Sequence, residues 1–211
     1  MASPLTPHFR HGSPFQPPKQ ITNRSDRLWK HLTEQANLAF SQGHDVGART
    51  IYLEALAEAE TLFDAALQGR CSLPVPVILN ISCHNLAEFE CRHGNHRTAE
   101  AYVRRAYDRL VDASRSPTSP LPLRIASVQH LKHALAMLVR HYRSNGKPKE
   151  DVKAAISLAH DTAFSVLHAA RHAEMVDASC ARCRAGPRDE SRIRLTLNKS
   201  EIRMDRRDDA Q

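Results

Sequence analysis

The 211-residue sequence predicts an all-α fold, a short α-solenoid of three stacked helix–turn–helix hairpins between disordered ends. Three observations lead there. The middle of the chain is built from alanine, leucine, glutamate and arginine, with 7 glycines and 5% aromatics, a mix that favours helices. Apolar residues recur there at three- and four-residue steps. Three glycines, Gly43, Gly94 and Gly146, punctuate that pattern at spacings of 51 and 52 residues, a regularity expected of repeats.

Residues 1–26 carry Pro4, Pro7, Pro14, Pro17 and Pro18 among Ser, Thr, His and Gln. Proline removes backbone donors, and too few large apolar groups accompany it to offset ordering entropy, so this is expected as a disordered arm. Ser25 or Asp26 then supplies an N-cap for a first helix from Arg27 to Ser41, with Leu28, Leu32, Ala36 and Ala39 on its apolar face. A second runs from about Asp45 to Gln68 on a stripe of Ala48, Ile51, Tyr52, Ala55, Leu56, Ala59, Leu62, Phe63 and Ala66. After a loop over residues 69–76, a third uses Val77, Leu79, Ile81, Leu86, Ala87 and Phe89 and stops at His93-Gly94.

The fourth helix, His96 to about Ala113, presents Ala99, Tyr102, Val103, Ala106, Tyr107 and Leu110. Residues 114–122 hold three prolines and read as a loop before a fifth helix from about Leu123 to Arg143. The sixth spans about Lys149 to His172. Beyond residue 173 arginine alternates with acidic residues and the periodicity dissolves, so 173–211 is expected to be a mostly disordered tail. A hairpin alone leaves an apolar face wet, and stacking neighbours buries it.

Side-chain sizes repeat around the turns. Ala36 precedes Gly43 by seven residues, as Ala87 precedes Gly94; Ala48, Tyr52, Ala55 and Leu56 follow the first glycine at the offsets of Ala99, Val103, Ala106 and Tyr107 after the second. This arrangement over residues 27–172 resembles the tetratricopeptide repeat, and Asn85-Leu86-Ala87 to Gly94 to Ala99-Glu100 to Ala106 is similar to repeats of the kinesin light chain type. In the third unit Leu138, Tyr142 and Gly146 fit, whereas aligning Val152, Ile156 and Ala159 calls for a one-residue insertion at Lys147-Pro148. The period also exceeds the family's usual value of about 34 residues.

The resemblance implies that the first helix of each unit faces a concave groove receiving a peptide or helix of a partner. Its groove residues would be Asn37, Phe40, His84, Asn85, Glu88, His133, Met137 and Arg140. Asn37 and Asn85 match asparagines with which some members hold a carboxylate, but Thr33 stands where a lysine is expected, and His133 and Met137 replace a basic pair. A complete carboxylate clamp is therefore not expected, and Asn85 reads first as a residue bonding neighbouring backbone to hold the stack. The function implied is that of a non-catalytic adaptor or assembly factor for a neutral or acidic segment.

Other chemistries fit less well. The net charge of +7 is spread along the chain without lysine runs, so nucleic acid is not the expected partner, and a regulatory or nucleic-acid-associated helical protein using the basic arm and tail is the alternative. His130 and His133 share a helix face with no acidic residue, and Cys180-x-x-Cys183 has no second ligand pair, so neither metal nor cofactor is expected. No phosphate loop, nucleophile constellation or H-E-x-x-H motif is present, so no catalytic residues are assigned. Five cysteines without a secretory leader point to free thiols in the cytoplasm, and no apolar run is long enough for a membrane. Apolar solenoid ends leave self-association open.

Overall fold

A computed structural model describes residues 25–184, with side chains described as far as Met175. Among these residues there are six α-helices and no strands: α1 (Arg27–Ser41), α2 (Asp45–Leu67), α3 (Val75–Arg92), α4 (His96–Arg115), α5 (Leu121–Ser144) and α6 (Lys149–Arg184). The described residues divide at Arg171 into a larger unit and a second unit that holds the end of α6. The arm over 1–24 and the tail over 185–211 lie outside the described residues.

Within the larger unit each helix packs on the next from α1 to α5, and α3 also meets α5 directly, as a solenoid requires. The helices stop by a shared chemistry. Gly43, Gly94 and Gly146 have φ of 75°, 76° and 64°, and each residue that follows donates its N–H to a carbonyl in the last turn. These bonds are His44 to Ala39, Asn95 to Glu90 and Lys147 to Tyr142, at 2.9, 2.8 and 3.0 Å, the pattern of a glycine-dependent helix C-terminus. Gly69 (φ 68°) closes α2 likewise through Arg70 and Ala65.

Side-chain bridges join successive turns. His93 Nε2 meets Asp45 Oδ2 at 3.0 Å, linking the first turn to the second, and Lys147 Nζ meets Glu100 Oε1 at 3.0 Å, linking the second to the third. Behind them the same three positions are buried in every unit. Nine, thirteen and sixteen residues after each turn glycine stand Tyr52, Leu56, Ala59; Val103, Tyr107, Leu110; and Ala155, Ala159, Thr162, all buried. The third unit therefore keeps the register of the others, and the expected insertion at Lys147-Pro148 is not there. Ile156 is exposed and Val152 only half-buried, because α6 turns Ala155 and Ala159 to the core instead. Tyr107 Oη donates to the Ala155 carbonyl at 2.6 Å, docking α6 on α4.

Two further expectations are corrected by helix phase. On α1, Leu28 is exposed and Trp29 is buried, its Nε1 donating to Ser82 Oγ on α3 at 2.8 Å while Ser82 donates to the Ile78 carbonyl. On α3, Ile81 is exposed and Ile78 takes the core position. Helix starts also differ. α3 and α5 begin earlier than expected because Pro76 and Pro122 sit in the first helical turn, where a missing N–H costs nothing. At the other end, α6 runs past His172 to Arg184.

Candidate functional site

The α3–α5 contact leaves a cavity of about 440 Å³. Its walls come from Val77, Asn80, Ile81 and His84 on α3 and from His130, His133, Met137 and Arg140 on α5; Val103 and Ala106 of α4 form its floor. These positions recur at three- and four-residue steps on each helix, so one stripe of α3 and one of α5 face each other across it. Asn80 sets the spacing of the walls by donating Nδ2 to the His130 carbonyl at 3.1 Å.

The lining is apolar at depth and basic or neutral at the mouth, and it contains no aspartate or glutamate. The His130 and His133 rings lie 6.1 Å apart. Burial pushes the His130 pKa down, and the neighbouring charges of His133 and Lys132 push it the same way. Cys83, at the base of α3's stripe, is fully buried, and that burial pushes its thiol up to about 12. The neutral thiol is a packing group there and a poor nucleophile. A second recess of about 230 Å³ shares His84, Val103, Met137 and Arg140 and extends the groove toward Glu88, His96, His141 and Asn145. Glu88 is held on its own helix by Arg92 at 2.9 Å.

Of the residues expected in a groove, His84, His133, Met137 and Arg140 converge on the cavity and Glu88 on its extension. The other three do not line it. Asn37 accepts a hydrogen bond from Tyr52 Oη at 2.7 Å, which ties α1 to α2. Phe40 packs against Phe89 (centroids 5.4 Å apart) beneath the Arg92 guanidinium, filling the space between α1 and α3. Asn85 is half-buried, and its side chain makes no hydrogen bond to a described residue. Sequence reasoning missed Val77, Asn80, Ile81 and Ala106 as lining, although Val77, Ile81, His84 and Glu88 already formed a second helical stripe on α3. The Cys180–Cys183 pair falls beyond the described side chains.

The arrangement can seat apolar side chains and meet negative charge at the rim. Among the described residues no hydrogen-bonded nucleophile–base pair and no converging carboxylates stand in it. Residues 27–172 match the family described as a protein of unknown function, DUF2753; the match covers most of the chain, which belongs to that family. No curated protein and no solved structure matches the chain.

Proposed function

We propose that this chain is a non-catalytic interaction module, an adaptor or assembly factor whose α3–α5 groove docks a neutral or acidic segment of a partner protein. The observation that carries this reading is the cavity itself: an apolar floor, no acidic lining, and His84, His130, His133 and Arg140 at the mouth. Its volume lies in the range of specific binding sites. A rim of one sign selects the charge of the ligand, while the apolar floor supplies most of the affinity. The resemblance to tetratricopeptide repeats supports the same reading, since their first helices form the receiving surface. The free thiols of Cys71, Cys83 and Cys91 accord with a reducing, cytoplasmic setting.

The test is a displayed random-peptide library selected on the full chain. Enriched peptides should bind the Ala136→Trp variant, which fills the exposed wall of the cavity, about tenfold or more weakly. Acidic peptides among them should also lose affinity to Arg140→Glu. Peptides that bind wild type and both variants alike would overturn the assignment of this groove.

A further inference from the structure

We infer that the outer face of α6 is a self-association surface, on which a second copy of this chain lays its own α6 antiparallel. This face is separate from the groove between α3 and α5. α6 has two apolar rows. Ala155, Ala159, Thr162 and Val166 are buried, whereas Ile156, Phe164 and Leu167 are 45%, 58% and 49% exposed. Ile156, His160, Ala163, Leu167 and Ala170 recur at alternating steps of four and three, the spacing of a seam between paired helices. Phe164 is braced at the edge of that seam, its ring stacked on His160 and set edge-on to His168 with centroids 6.5 and 4.5 Å away.

Charge decides what fits. Glu150 lies in the first turn of α6 and Arg171 near the other end of the seam, and neither has an ion-pair partner among the described residues. They are about 32 Å apart along the axis. In an antiparallel pair centred between His160 and Ala163, Ile156 faces Leu167 of the second copy and Glu150 comes within one helical turn of its Arg171. The two-fold axis repeats both contacts. The small Ala163 opposite His160 lets the helices approach. A parallel copy would instead bring the two Glu150 side chains to one level and leave each about 32 Å from either Arg171. The face is thus complementary to itself reversed, the condition for a closed two-fold dimer.

Sedimentation equilibrium of the full chain over a wide concentration range tests this. The expected mass is twice the 23.7 kDa of one chain. Leu167→Glu should yield monomer with unchanged helical ellipticity. Glu150→Arg and Arg171→Glu should each weaken the dimer about tenfold, and the double variant should restore it, because the charges are exchanged rather than removed. Monomer at every concentration, as when the chain's own tail covers the face, would overturn the proposal. So would a mass that grows without limit, as head-to-tail stacking produces, or a dimer indifferent to all these substitutions.

Discussion

Arg49→Met isolates one of the contacts that join the first hairpin to the second. Glu90 on α3 is 1% exposed; its Oε1 accepts from Arg49 Nε at 2.7 Å and its Oε2 from Asn95 Nδ2 at 2.8 Å. Methionine keeps the apolar stem of Arg49 and removes the guanidinium, leaving the buried carboxylate with the Asn95 amide alone. Breaking a fully buried pair costs about 3–5 kcal/mol. The Arg49 side chain is 44% exposed and its charge is partly screened by water, so the expected cost is about 2–3 kcal/mol. Glu90→Leu in the same background removes the stranded charge, and the double variant should fall within about 1 kcal/mol of wild type. Urea denaturation followed by far-UV ellipticity gives the four stabilities of this cycle. A cost for Arg49→Met below about 0.5 kcal/mol, or strictly additive effects, would refute the role given to the pair.

Trp29→Ala should cost about 3–5 kcal/mol in the same assay, and Trp29→Phe distinctly less, because the phenyl ring keeps most of the packing and loses only the bond to Ser82. The His93–Asp45 bridge makes stability pH-dependent. The bond to the Phe89 carbonyl and then that to Asp45 raise the His93 pKa above its usual 6.5, since both ring nitrogens face acceptors and only the imidazolium donates to both. That contribution is present in full below the unfolded pKa and disappears as pH rises through the raised folded value. Burial lowers the pKa of His130 and His141, whose effect has the opposite sign. The readout is therefore the difference in urea midpoint between wild type and His93→Gln, which should shrink from pH 5.5 to 8.5; a pH-independent difference would contradict the bridge. Finally, Cys83 should stay unmodified by a thiol reagent in the native protein at pH 8 while Cys71 and Cys91 react, as peptide mapping by mass spectrometry would reveal. Equal labelling of the three would refute it.

The helices and their ends were legible in the sequence because glycine and proline act locally. A left-handed residue is needed where α1, α3 and α5 stop, and Gly43, Gly94 and Gly146 supply it whatever the rest of the chain does. Helix phase was less legible. Leu28-Leu32-Ala36 and Trp29-Leu32-Ala36 fit the same periodicity, and the choice fell to Trp29 because its large ring finds Ser82, more than fifty residues away, as a partner. The same ambiguity put Ile81 in the core and Ile156 in the stripe of α6. Half of the groove could be read because His84, His133, Met137 and Arg140 lie on the first helices of their hairpins. Asn37 and Phe40 share that property, but the rotation of α1 spends them on Tyr52, Phe89 and Arg92. Asn80 carried no local signal, since its role depends on which α5 carbonyl comes opposite it.

Unfolding watched through the single tryptophan addresses the stacked hairpins most directly. Trp29 belongs to the first hairpin, is buried, and donates its indole N–H to Ser82 on the second, so its fluorescence reports the junction while far-UV ellipticity reports the helices as a whole. If each hairpin is stable only against its neighbours, the two signals trace one transition with the same urea midpoint. Exposure of Trp29 at low urea, with most of the helix surviving to a second transition, would mean that the hairpins stand on their own.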